Sequence, residues 1–253
     1  MGTLLDYPLL LFLLAVVVLW LSAQAGRLAS KRRKLQEGRD DLGIVLAATL
    51  TLLGLIIGFS FSMATNRYDQ RKNYEEAEAN AIGTEYVRAD LLRPADAATA
   101  KRLLRTYLDE RIRFYDTRDR QQLQRIAVTR ARLQDDLWSV VRGAAHADRT
   151  PVVALVVSGM NDVLNAQGYT QAAWWNRIPI SAWVLMFAIA ICSNALIGYS
   201  AHGVSARSAL FLVLPVVVSI AFLLIADIDS PRGGFIHVGA QNLVSLAEAL
   251  RRQ

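Results

Sequence analysis

Residues 42–92 constrain this chain more than any other stretch. They open with the apolar run GIVLAATLTLLGLIIGFSFS and pass, with no proline before Pro94, into the charged NRYDQRKNYEEAEANAIGTEYVRADLL. Gly54, Gly58 and Gly83 each weaken a helix slightly but do not break it. Read as one helix, the stretch is ~75 Å long at 1.5 Å per residue. A bilayer core takes ~30 Å of that. The first half is therefore expected to cross a membrane and the second half to project from it.

Of the 253 residues, 53% are hydrophobic, concentrated in a few runs that place spans at about 4–23, 43–63, 179–199 and 208–226. The first run precedes Ala23-Gln24-Ala25, which resembles a cleavage box. Asp6 lies before that run and the basic residues follow it, an order that suits a retained anchor better than a signal peptide. The start MGTLLD lacks the Ser or Thr of a myristoylation signal. Residues 27–41 carry six basic side chains, read as a cytoplasmic topology anchor or a lipid head-group site. Counting short loops and flanks gives seven basic residues on that side (the six and Arg207). Five lie on the other: Arg67, Arg71, Lys72, Arg177 and Arg232. The middle of the chain is thereby expected outside, on the periplasmic face of a bacterial inner membrane.

That middle, residues 64–177, holds 18 of the 28 basic and 15 of the 22 acidic residues. Charge so balanced reads as a solvated helical surface and argues against nucleic acid as a partner. Pro94 ends the long helix. Beyond it, Leu104, Leu108, Ile112 and Tyr115, with Leu103 and Tyr107, recur at helical spacing, as do Leu123, Ile126, Leu133, Leu137 and Val140. Thr150-Pro151 predicts an N-cap followed by a helix apolar for too few residues to span. Ala172-Ala173-Trp174-Trp175-Asn176-Arg177 reads as a membrane-interface signature before Pro179. A kink is expected at Pro215, and Leu243, Leu246, Ala247 and Leu250 predict a short amphipathic tail helix. The expected fold is all-α: a polytopic membrane protein of four spans with a helical soluble bundle between the second and third. Its segments are a first pair in 1–63, the bundle in 64–177, a second pair in 178–226 and a tail in 227–253.

No phosphate loop, nucleophile elbow, HExxH or paired-Cys motif occurs, so no enzyme activity is expected. His146, His202 and His237 lack ligand-like companions, and neither metal nor other cofactor is expected. Cys192, the single cysteine, reads as a small buried hydrophobe. Glu75, Glu76 and Glu78 read as a solvated face. Ser193 and Asn194 are expected to bond to a neighbouring helix, and Asp227, Asp229 and Arg232 to form an ion pair or turn cap. In the long helix, Thr51, Gly54, Gly58, Ser62, Thr65 and Asp69 are spaced 3, 4, 4, 3 and 4, which makes one stripe of small and polar residues. Such a stripe lets helices approach closely in lipid. Alternatively part of the stripe, or the flanking Leu55, Phe59 and Ile57, Phe61, faces a central pore axis, where apolar rings would gate by dewetting. On that reading Thr51, Leu55, Gly58, Phe59, Phe61, Ser62 and Thr65 line it. Arg67, Asp69, Arg71 and Lys72 would charge its mouth, the basic residues favouring anions.

The stretch LLGLIIGFSFSMATNRYDQRKNYEEAEANAIGTEYVRADLL resembles the second span and following helix of bestrophin-like bacterial membrane proteins. Asp229-Ser230-Pro231-Arg232-Gly233-Gly234 is similar to that family's closing motif, and the plan of two spans, helical middle and two spans also fits. More distantly, Asn66-Arg67-Tyr68-Asp69 and Arg177-Ile178-Pro179 resemble stretches of bestrophins proper, which are homopentameric anion channels. The chain departs from them at Gln70-Arg71-Lys72, where Trp-Trp-Glu-x-Arg usually follows. The resemblance implies a homo-oligomer, a pentamer if it follows bestrophins proper, with the lipid bilayer and small inorganic ions as partners. In bestrophins proper the helical domain is cytosolic, opposite to the charge count. Two functions stay open: an ion channel of chloride type, and a non-conducting scaffold or sensor whose bundle binds a partner protein.

Overall fold

Inside hydrocarbon every backbone N–H and C=O must be satisfied within its own segment or a closed barrel, and this chain answers with helices. The computed structural model describes residues 4–32, 39–200 and 210–252. It contains α1 (Pro8–Arg32), α2 (Arg39–Arg88), α3 (Pro94–Asp116), α4 (Arg120–Ala147), α5 (Pro151–Trp175), α6 (Ile180–Ser200), α7 (Leu210–Asp229) and α8 (Gln241–Arg251). Short 3-10 turns occupy Leu4–Asp6 and Ala89–Leu91. No strand occurs among the described residues. Among the described residues, four segments are long and apolar enough to cross a membrane. Most of the 27–41 basic cluster and Arg207 lie outside the described side chains, so the charge count rests on sequence alone. The chain forms two compact units, Met1–Tyr68 with Arg177–His237, and Asp69–Asn176 with Val238–Gln253.

In the first unit α1 packs on α6 and α7. Its buried residues, Leu11, Ala15, Leu19 and Ala23, step by four along one face. They join Leu53 and Ala64 of α2, Trp183, Met186 and Ala190 of α6, and Val218, Phe222 and Ile225 of α7. Apolar helices gain little by leaving apolar lipid, so association rests on close packing. That closeness is extreme between α1 and α6. A Cβ on Gly26 would lie 1.9 Å from the Ala195 carbonyl oxygen, and one on Gly198 would lie 1.8 Å from that of Ala23. Ser22 Oγ donates to Ile191 O at 2.6 Å across the same contact. Ser193 and Asn194 do not make the interhelical bonds expected of them. Asn194 Nδ2 returns to Ala190 O of its own helix, and Ser193 Oγ and Asn194 Oδ1 are buried without a hydrogen-bond partner. Cys192 is exposed on α6, not buried.

The second unit contains the distal half of α2 with α3, α4, α5 and α8. Pro94 and Pro151 sit at helix starts, where a missing N–H costs nothing. Thr150 Oγ1 accepts from Val153 N, and Asp119 caps α4 through Gln121 N and Gln122 N. Ile112, Leu123 and Val140 are only half-buried, whereas Arg111 and Val141 take the inward positions. Trp174 turns inward onto Phe114 and Tyr115, and only Trp175 stays exposed, so the tryptophan pair is not an interface signature as a whole.

The largest departure from the sequence reading is the charged face of α2. Glu75 and Glu78 are buried and only Glu76 is exposed. Glu78 forms a two-pronged pair with Arg111, through Nε and through Nη2 at 3.0 Å, and accepts from Thr170 Oγ1 at 3.2 Å. Burial alone would depress Arg111; the Glu78 charge and its hydrogen bonds outweigh that and hold it above its ordinary value. Glu75 serves the tail. α8 has no side-chain cap of its own, and Glu75 accepts from Asn242 N and Leu243 N, both at 2.9 Å, and from Asn242 Nδ2. A carboxylate at a helix N-terminus is favoured by the exposed N–H groups and the helix dipole.

Two sets of outcomes follow from this packing. Gly198→Ala forces α1 and α6 apart and costs about 1–3 kcal/mol, read as a lower thermal midpoint in detergent. Gly143→Ala, with nothing within 4 Å of the added carbon, gains up to ~1 kcal/mol of helix propensity. Arg111→Met leaves Glu78 as an unpaired buried charge and costs about 3–5 kcal/mol, and the Glu78→Gln/Arg111→Met double variant recovers part of it. Chemical denaturation of the wild type, both single variants and the double variant checks this second set.

Candidate functional site

The membrane half of α2 differs from the other apolar helices in what it leaves uncovered. Only 6% of its most apolar window is buried in the chain, against 28% for α1 and 50% for α7. Its packed side is Leu53, Ser60 and Ala64, with Ile56 and Ile57 partly covered. At roughly 100° per residue, Thr51, Gly54, Gly58, Ser62, Thr65 and Asp69 fall on the opposite side. All are exposed except Thr65, which is half-buried. Neither Gly54 nor Gly58 has a neighbour within 4 Å of where a Cβ would stand. The close helix approach available to these glycines is thus not used within the chain; Gly26 and Gly198 serve that purpose.

Three large side chains flank the stripe. Phe59 is 66% exposed and Leu55 53% on one flank, and Phe61 is 43% exposed on the other. The two threonines of the stripe satisfy their hydroxyls locally: Thr51 Oγ1 donates to Ala47 O at 2.9 Å, and Thr65 Oγ1 to Phe61 O at 3.0 Å. Such back-bonding lets a hydroxyl face a poorly hydrated space at little cost. By contrast, the exposed side of α1 carries Leu9, Leu10, Leu13, Leu14, Val17 and Leu21, a surface suited to acyl chains.

The four charged residues at the end of this segment do not act together. Arg71 is fully buried; its Nε donates to Ala173 O and its Nη2 to Asn176 O, each at 3.3 Å. It therefore caps the C-terminus of α5, where carbonyls lack helical partners and a cation is favoured. That role differs from the open mouth charge expected from sequence. Arg67 is half-buried on the same packed side, with Nη2 3.5 Å from Met63 Sδ. Asp69 and Lys72 alone are exposed on the side of the stripe.

A second constellation surrounds the start of α6 and the end of α7. Ile178 N donates to both carboxylate oxygens of Asp229, at 3.1 and 3.2 Å, and Arg177 Nη1 pairs with Asp6 Oδ1 at 2.6 Å. Asp227 accepts from Phe235 N and Ile236 N, both at 2.8 Å, and Ser230 Oγ accepts from Gly233 N at 3.0 Å. Two glycines make this turn possible. A Cβ on Gly233 would lie 2.3 Å from Asp6 O, and one on Gly234 would lie 2.3 Å from Asp227 Oδ1. Asp227 thus caps the turn, one of the two roles expected of this group, and Asp229 accepts from the backbone at the start of α6. Asp6 is the participant that sequence reasoning missed; its only signal was a charge placed just before an apolar run. Among the described residues no group of three or more His, Cys, Asp or Glu side chains could hold a metal.

The family described as Bestrophin-like domain matches residues 9–243. No curated protein matches the chain. A crystal structure of a bacterial bestrophin homologue from Klebsiella pneumoniae is similar, with a TM-score of 0.65 and 13% identity over 95% of this chain and 98% of that one. Another crystal structure of a Klebsiella pneumoniae homologue gives 0.63 and 12% identity over 93% and 98%. A third, described as a membrane protein, gives 0.64 and 12% over 97% and 97%. These structures establish a shared fold alone, and the match along residues 9–243 establishes the family. The chain belongs to the bestrophin-like family of membrane proteins.

Proposed function

We propose that this protein is a homo-oligomeric channel for small inorganic ions, with the stripe side of α2 lining the pore. One observation carries the reading: α2 leaves glycines, hydroxyls and phenylalanines uncovered on the side opposite its packing face. Lipid rewards bulky aliphatic side chains there, as on α1. A column of small polar positions with apolar constrictions suits an ion path that closes by dewetting. Copies of the chain around an axis, five if the assembly follows bestrophins proper, would bring the stripes together. Membership of the bestrophin-like family supports this reading.

The charge at the mouth is one acid and one base per copy, Asp69 and Lys72, since Arg71 is used as a helix cap. Selection between anions and cations then follows the balance of that pair rather than a ring of arginines. The preference for anions expected from sequence then rests on the family likeness and on Lys72, without Arg71.

Purified protein in planar bilayers is expected to show unitary currents, and Phe59→Ala or Phe61→Ala to raise open probability severalfold by widening an apolar constriction. Silent bilayers from a well-folded oligomer would rule out conduction and leave the scaffold reading. Asp69→Asn is expected to shift the reversal potential toward anions and Lys72→Gln toward cations. Arg71→Gln is expected to leave the reversal potential alone and lower stability by about 1 kcal/mol, as loss of a helix-terminal cation does.

A further inference from the structure

Among the buried charges of the second unit, Glu85 is unlike the others. Glu75 caps α8 and Glu78 pairs with Arg111. Glu85 is fully buried, yet neither carboxylate oxygen has a hydrogen-bond partner. Its side chain lies in a notch of α5 that exists because residue 159 is glycine. A Cβ there would stand 2.0 Å from Glu85 Oε2 and 2.5 Å from Arg88 Nη1. An ionised carboxylate in such a place forfeits its hydration with no hydrogen bond in return, whereas the neutral acid is tolerated.

We propose that Glu85 is a proton-operated latch between α2 and α5: as the neutral acid it occupies the notch above Gly159, and as the carboxylate it leaves the notch and loosens the contact. Charged groups face it from its own helix and from the elements packed around it. Arg88, one turn on along α2, favours the ionised form, and Asp162, one turn beyond Gly159 on α5, opposes it. The Ala89–Leu91 turn, which also packs on α5, carries Asp90, but that residue is exposed and paired with Lys101 at 2.6 Å. On α3, Lys101 and Arg105 lie over the ring of Tyr86, the adjacent residue of α2. Burial, opposed by Arg88 and reinforced by Asp162, pushes the Glu85 carboxyl from 4.5 up to about 8. A carboxyl that holds its proton more tightly folded than unfolded gives stability present in full below the unfolded value and lost as pH rises. For Glu85 that window runs from 4.5 to about 8.

The test uses the full chain in lipid nanodiscs. Infrared titration is expected to show a protonated carboxyl band vanishing with a midpoint near pH 8, as the value of about 8 requires, and absent from Glu85→Gln. Arg88→Gln should move the midpoint up and Asp162→Asn should move it down. Amide exchange around residue 160, corrected for the intrinsic rate at each pH, reports the contact itself. Protection in the wild type is expected to fall by up to roughly tenfold per pH unit between 4.5 and about 8, to level off above that, and to stay constant in Glu85→Gln. Should that variant fail to fold, Gly159→Ala displaces the carboxylate toward solvent and its midpoint should drop toward 4.5. A wild-type midpoint near 4.5, or an equal loss of protection in Glu85→Gln, overturns the latch.

Discussion

α2 contributes a row of packed residues to each of the two units, and each unit is built on its own part of that row. Ile57, Ala64, Arg71, Glu78 and Glu85 are seven residues apart, and all are buried except Ile57, which is partly covered. A repeat of seven stays close to one side of a 3.6-residue helix, drifting by about 20° per repeat. The row thus meets other helices in both units, first in an apolar segment and then in a charged one. In the apolar segment its contact residues are small or aliphatic, because helices in lipid gain by approaching closely. In the polar segment they are Arg and Glu, and each has to be dealt with individually.

The means differ from residue to residue, and the difference is physical. Arg71 offers donors to carbonyls at the end of α5, and Glu75 offers acceptors to N–H groups at the start of α8. Both exploit groups that a helix leaves unpaired at its ends. Glu78 is matched by a guanidinium in a two-pronged geometry, which offsets desolvation better than a single contact. Glu85 has no such match and remains the titratable exception. A buried face of this kind adds little net stability over an apolar one, but each pair fits one partner at one height along the helix.

The opposite side of α2 carries the proposed function, and it is left uncovered within the chain. Gly54, Gly58 and Ser62 would be wasted as a surface toward acyl chains, and the close approach that glycine allows occurs at Gly26 and Gly198 instead. The motif at residues 227–236 plays a separate structural role, in which two carboxylates and two glycines fix the end of α7 against the start of α6.

Much of the architecture was legible in the sequence, because hydrophobic length and helix punctuation are local properties. The four apolar runs, the uninterrupted α2, the Thr150-Pro151 helix start and the family likeness around residues 66–83 and 229–234 needed no partner to be read. The stripe on α2 was legible for the same reason, since helical spacing alone defines a face. Which charges are buried was not legible. Glu75, Glu78 and Arg71 look like solvated residues when hydropathy is the guide, and become interior only because Arg111, the α8 N-terminus and the α5 C-terminus arrive from positions far along the chain. Trp174 and Cys192 went the other way from expectation for the same reason. Periodicity states that a helix has sides; only the tertiary structure decides what each side meets, since that depends on groups brought together by the fold.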